Sequence, residues 1–172
     1  MIAGQWGASL GARMIGVAGG PEKCELAQKN GYQICLDRNS DADVSAKVSE
    51  LTDGKGLPVV YDSIGKDTFM TTLDCLGSRG IFVSFGATSG PVPPVEAAEL
   101  QKRDSLYFTR PTLVTYTADR ADLLMSSDKV FAKLAAGEIK TEVGQKYKLD
   151  DIVRAHQDFE AGKTRGSTLI LP

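Results

Sequence analysis

The chain reads as an α/β protein built on a doubly wound parallel sheet. Three observations carry this: strand and helix patterns alternate along the chain, two strand patterns run straight into small-residue turns, and 172 residues suit one such domain. The two strand ends are Val59-Val60-Tyr61-Asp62-Ser63-Ile64-Gly65 and Arg79-Gly80-Ile81-Phe82-Val83-Ser84-Phe85-Gly86-Ala87-Thr88-Ser89-Gly90. Apolar and β-branched runs that finish in Asp-Ser-Ile-Gly or Ser-Phe-Gly suit the carboxyl ends of parallel strands. Ligands sit outside those ends, and glycine lets backbone approach them closely.

Taken in order, residues 1–11 read as a helix ending near Gly11, and Arg13 to Ala18 as a short strand closed by Gly19-Gly20-Pro21. Pro21 suits the first turn of a helix running from Glu22 to about Asn30, which Gly31 stops. Gln33 to Leu36 is the next strand and Asp41 to Thr52 the next helix. A strand at 58–62, a helix from Lys66 to Leu76 and a strand at 80–85 follow, then a loop through Pro91-Val92-Pro93-Pro94. Beyond it the pattern predicts a helix over Glu96 to Arg103, a strand over Ser105 to Thr109, helices over Ala118 to Ala136 and Asp150 to Ala161, and a closing strand over Ser167 to Leu171. No solenoid-length repeat or Ser/Gly-rich linker divides the chain, so residues 1–172 are expected to form a single domain.

Composition removes several function classes. With 42% hydrophobic and 24% charged residues and a net charge of −2, the chain has no broad basic field to recruit nucleic acid or an anionic membrane. The apolar runs are short and broken, which predicts neither a signal peptide nor a membrane span. Cys24, Cys35 and Cys75 are widely spaced and odd in number, which speaks against a disulfide framework or structural zinc and for a reducing cytoplasm.

Candidate catalytic groups are few. His156 is the only histidine, so a zinc site with several imidazoles is excluded, and on Asp150-Asp151-Ile152-Val153-Arg154-Ala155-His156-Gln157 it reads as an ordinary helix residue. Gly-x-Ser-x-Gly, P-loop and His-Glu-x-x-His motifs are absent from the sequence. A nicotinamide redox role needs fewer protein groups, because the cofactor carries the chemistry. The strand tip Ala18-Gly19-Gly20-Pro21-Glu22-Lys23 has no acid directly at its end to hold a ribose 2′-hydroxyl, while Lys23 and Arg38 could meet a 2′-phosphate. As an isolated pair these two cations read more readily as solvated surface charges.

The ordered residues resemble one family. Gln5-Trp6 with Leu10-Gly11-Ala12, Glu22-Lys23, Val59-Tyr61-Asp62-Ser63-Ile64-Gly65, Leu73-Asp74-Cys75-Leu76 with Arg79-Gly80, Val83-Ser84-Phe85-Gly86 with Ser89-Gly90, Ser105-Leu106-Tyr107 with Thr109-Arg110-Pro111, and Ala155-His156 are similar to the zinc-independent quinone oxidoreductases of the medium-chain dehydrogenase/reductase superfamily. That resemblance implies a Rossmann fold holding NADPH and a reaction that reduces quinones or enones by hydride transfer. By the same resemblance Gly19, Gly20, Pro21, Glu22 and Lys23 border the 2′-phosphate, joined by Arg38 where the family has a Tyr. Ile64 faces the cofactor, Phe85, Gly86, Ala87 and Thr88 pass along the nicotinamide half, and Pro111, Thr112 and Leu113 close its carboxamide side. Gly162 stands where many members have an arginine, a place Lys163 or Arg165 could fill. No catalytic residue or metal ligand is implied.

Relatives also have a first strand, an Ala-x-Gly-Gly-Val-Gly pyrophosphate loop and a whole catalytic domain ahead of the residues matching Met1. The resemblance therefore implies a partial dinucleotide-binding domain that lacks the first strand and glycine-rich loop, with weak NADPH binding and little activity of its own. It further implies a homodimer through the edge strand near Tyr107. The competing readings are a zinc-free alkenal or enoyl reductase of the same superfamily, and a non-catalytic dimerising fragment.

Overall fold

The computed structural model describes residues 1–40 and 43–172. They fall into two compact units, Met1–Cys35 with Lys129–Pro172, and Leu36–Asp128.

The first unit opens with α1 (Ile2–Ser9), β1 (Ile15–Ala18) and α2 (Pro21–Lys29), with Pro21 in the first helical turn. β2 (Ile34–Asp37), of which Ile34 and Cys35 belong to this unit, pairs with β1 in a two-stranded sheet. Gln5 ties α1 to distant chain: its amide nitrogen donates to Asn30 Oδ1 at 2.7 Å and to the Lys140 carbonyl at 3.1 Å, and its oxygen accepts from Lys140 N–H at 2.7 Å. The unit closes with the parallel pair β6 (Val143–Lys148) and β7 (Ser167–Leu171), joined by a 3-10 turn at Leu149–Asp151 and α8 (Ile152–Glu160). β6 was not expected. Val-Gly-Gln-Lys-Tyr-Lys has no apolar run, and only Gln145 and Tyr147 of it are half-buried.

The second unit holds α3 (Val44–Leu51), β3 (Leu57–Asp62), α4 (Phe69–Asp74), β4 (Leu76–Ser84), α5 (Ala97–Gln101), β5 (Tyr107–Thr109), α6 (Leu113–Tyr116) and the start of α7 (Arg120–Ala135). The helix start expected at Asp41 lies outside the described residues. Asp43 caps α3, its carboxylate accepting from Ala46 N–H at 2.9 Å and from Ser45 Oγ at 2.7 Å. β3, β4 and β5 form a parallel sheet in that order, with Val60, Phe82 and Phe108 in one row across it. That row packs on α4 through Phe69 and Leu73, with Leu76 and Leu106 completing the core. The opposite face carries Val59, Tyr61, Ile81 and Tyr107, all exposed, so among the described residues this sheet is covered on one side only.

Several elements differ from the sequence expectation for physical reasons. Leu76 belongs to β4, not to the preceding helix: pairing jumps from Leu57↔Leu76 to Val59↔Ile81, a bulge that absorbs residues 77–80 and holds Arg79 at φ 57°. Asp104 and Ser105 sit at φ 59° and 63°, so β5 cannot begin at Ser105. The four-residue α6 was also unexpected, set up by Thr112, whose hydroxyl accepts from Thr115 N–H at 3.3 Å.

Cys75 shows what the core does to a titratable group. Burial, reinforced by the negative charges of Asp74 and Asp43, pushes its thiol from an ordinary value of 9.0 up to about 11. A folded-state value above the unfolded one means that its stabilising contribution is complete below pH 9 and is lost as pH rises to 11. The urea midpoint of the wild-type chain is therefore expected to fall faster across that interval than that of Cys75→Ala. Parallel curves would remove the assignment.

Candidate functional site

The carboxyl ends of β3 and β4 are clasped together, and Asp62 organises the clasp. Its side chain is buried, and Oδ1 accepts from the N–H groups of Ile64 at 2.7 Å and Gly65 at 2.9 Å. Oδ2 accepts from the hydroxyls of Thr68 at 2.6 Å and Thr72 at 2.8 Å. The chain leaving β3 winds around this carboxylate, which is why α4 starts at Phe69 and not at Lys66. Nothing in the strand pattern alone gives Asp62 a role. An Asp two residues before the N–H it captures, with Thr at positions six and ten further on, was the available signal.

Loop 85–90 locks onto that turn. Phe85 N–H donates to the Asp62 carbonyl at 2.8 Å, Thr88 N–H to Ser63 at 3.2 Å, Ser89 N–H to Ile64 at 2.9 Å, and Lys66 N–H to Gly90 at 3.1 Å. Ser89 Oγ adds a bond to the Ile64 carbonyl at 2.9 Å and accepts from Asp67 N–H at 3.1 Å. Two glycines make the approach possible. At Gly86 a Cβ would meet the Ser63 carbonyl oxygen at 2.6 Å, and Gly65, at φ 93°, would place one 2.4 Å from the Gly90 oxygen. Arg110 reaches back to donate to the Ser84 carbonyl at 2.9 Å.

The candidate residues of this unit fall around the clasp as follows. Ile64 is half-buried in the turn, while Ala87 and Thr88 are exposed on the loop. Phe85 is 53% exposed and edge-on to Tyr61 at 6.5 Å. Beyond β5, Pro111 is half-buried, Thr112 caps α6, and Leu113 is 78% exposed. Arg38 is exposed in the turn after β2.

Gly19 to Lys23 lie in the first unit. Gly20 is the N-cap of α2, and Lys23 is exposed in its first turn. Glu22 pairs with the Arg165 guanidinium, which brings a second cation to this turn. Lys163 instead pairs with Asp158 at 3.4 Å. The carboxylate of Asp158 is held below its ordinary range by the Tyr147 hydroxyl and by that lysine. His156 is exposed on α8. Among the described residues no group of three His, Cys, Asp or Glu could hold a metal ion, and no helix is long and apolar enough to cross a membrane.

A parallel sheet whose strand ends carry a turn and a glycine-spaced loop presents the edge outside which ligands sit in doubly wound α/β proteins. The chain belongs to the family described as zinc-binding dehydrogenase, whose model matches residues 1–122. It is 44% identical over its full length to a quinone oxidoreductase of Pseudomonas aeruginosa, covering 53% of that protein. It superimposes on the crystal structure of Escherichia coli quinone oxidoreductase complexed with NADPH with a TM-score of 0.93, at 42% identity over 99% of this chain and 53% of that one. A 2-haloacrylate reductase from Burkholderia sp is 38% identical over 97% of the chain and 50% of that protein. The chain thus spans about half the length of the curated relatives it matches. Its α/β fold with parallel strands, of Rossmann type, is the one the sequence predicts.

Proposed function

We propose that this chain is the NADPH-holding portion of an NADPH-dependent quinone reductase. One observation carries the reading: the chain superimposes almost end to end on a quinone oxidoreductase whose structure contains NADPH. The residues present fit that cofactor. The first turn of α2 offers backbone N–H groups behind Gly20, with Lys23 exposed and Arg165 close by through Glu22, a donor set suited to a phosphate dianion. Lys23 would hold the 2′-phosphate, the role that the resemblance also gives Arg38. Ile64 and the loop Phe85-Gly86-Ala87-Thr88 would line the nicotinamide side, where the clasp permits close backbone approach, and Pro111 to Leu113 would close the carboxamide side.

Bound NADPH would supply the hydride that a quinone takes up, with the accompanying proton drawn from water. The protein positions and desolvates the two, and none of its residues is assigned a proton-transfer role. Zinc is not required in this scheme, in keeping with a single exposed histidine. The odd number and wide spacing of the three cysteines in the sequence support a reducing, cytoplasmic setting. We further propose a homodimer joined through β5, whose Tyr107 is 60% exposed and which pairs with β4 alone among the described strands.

The cofactor reading predicts that NADPH binds at least tenfold more tightly than NADH in calorimetry. Lys23→Ala is expected to remove most of that preference and Arg38→Ala part of it, with NADH affinity unchanged. Equal affinities in the wild-type protein would overturn the phosphate assignment. For the reaction, NADPH oxidation by a benzoquinone is expected from the protein with its substrate-binding portion present. The likeness to 2-haloacrylate reductase supports a second reading, reduction of an activated alkene. Turnover with haloacrylate or an enone but not with quinones would decide for it.

A further inference from the structure

Cys24 lies in the first turns of α2 and Cys35 on β2, eleven residues apart, and their sulfur atoms are 2.9 Å from each other. Both are thiols, not a disulfide. The separation is within about 1 Å of the ~2.05 Å S–S bond, which puts the two sulfurs in reach of a covalent link. The two differ in access: Cys24 is 8% exposed, whereas Cys35 is half-buried and can be reached from solvent.

We propose that Cys24 and Cys35 form a redox-responsive pair that closes to an intrachain disulfide on exposure to a hydroperoxide. Cys35, as thiolate, attacks one peroxide oxygen; the O–O bond breaks, the Cys35 sulfur becomes a sulfenic acid, and the other oxygen leaves as water after protonation. The Cys24 sulfur then attacks the sulfenic sulfur, the S–O bond breaks, and a second water departs. Two thiols have lost two electrons and two protons, and one hydrogen peroxide has become two waters. A dithiol reductant reverses the change. The bond would fasten the first turns of α2, which carry Pro21, Glu22 and Lys23, to β2.

Cys75 provides an internal control, since it is 6% exposed and its thiol is pushed up to about 11. The test treats the wild-type chain with hydrogen peroxide and reads intact mass and a non-reducing peptide map. The expected product is about 2 Da lighter, carries a Cys24–Cys35 cross-link, and reverts with dithiothreitol. Cys35 is expected to be consumed at least tenfold faster than Cys75. Cys35→Ser should leave Cys24 unmodified, and Cys24→Ala should let Cys35 stop as a sulfenic acid that dimedone traps. The idea fails if wild-type Cys35 accumulates as sulfenic or sulfinic acid beside an intact Cys24, or if the cross-link joins two chains. Because the wild-type map decides alone, a variant that misfolds does not remove the test.

Discussion

Replacing Asp62 by alanine is expected to lower the unfolding free energy of the chain by about 3 kcal/mol and to loosen the strand ends at the same time. The figure follows from which of the four bonds can be remade. Thr68 already leans towards the Gly65 carbonyl at 3.4 Å, and helix hydroxyls of this kind can turn to the preceding turn of backbone. The N–H groups of Ile64 and Gly65 have no such option, because Gly65 is buried and both are aimed at Oδ1. Each bond to a charged acceptor contributes about 1.5 kcal/mol or more, so two orphaned donors set the cost. Asp62→Asn retains one acceptor oxygen of the same shape and is expected to lose about half as much. Urea unfolding of the three proteins checks this; an alanine variant within about 0.5 kcal/mol of wild type would show that the carboxylate does not organise the turn. If the clasp positions NADPH, Asp62→Ala also weakens its binding, although the side chain lies beneath the turn and not on the exposed loop.

How legible this arrangement was in the sequence depends on the scale of the forces involved. β3 and β4 announced themselves because their apolar residues are continuous, and Pro21 and Gly31 bracketed α2 through local conformational preference alone. What stayed hidden was set by pairing between distant residues. Nothing in Val143–Lys148 marks a strand until β7 lies beside it. The bulge at residues 77–80 arises from register against Leu57, and the start of α4 from a carboxylate on the preceding strand. The Glu22–Arg165 pair joins residues 143 apart in the chain. The candidate cofactor residues were found through ordered resemblance, while Asp62, which fixes the geometry among several of them, follows only from its hydrogen bonds.

Phe82 and Phe85 stand three residues apart, and their alanine variants are expected to behave in opposite ways. Phe82 is 0% exposed, stacked on Phe69 at 5.6 Å and meeting Phe108 edge-on at 5.3 Å. Its removal empties the centre of the row that joins β3, β4 and β5 to α4, and nothing in a sheet pinned by its ladder can collapse into the space. A cost of about 3–5 kcal/mol follows for Phe82→Ala, a large fraction of a stability in the usual range of about 5–15 kcal/mol. Phe82→Leu restores much of the volume but not the ring contacts and is expected to cost about 1–2 kcal/mol. Phe85 lies one residue past the end of β4, 53% exposed, with Tyr61 as its ring partner. Phe85→Ala is expected to change stability by less than about 1 kcal/mol. Under the proposed function it weakens NADPH binding severalfold, because an exposed aromatic beside a glycine clasp has a ligand to cover and no core to fill. Thermal unfolding and NADPH titration of both variants separate the two roles. A Phe85 variant that unfolds as readily as the Phe82 variant would place the ring in the core, and one that binds NADPH unchanged would remove it from the cofactor site.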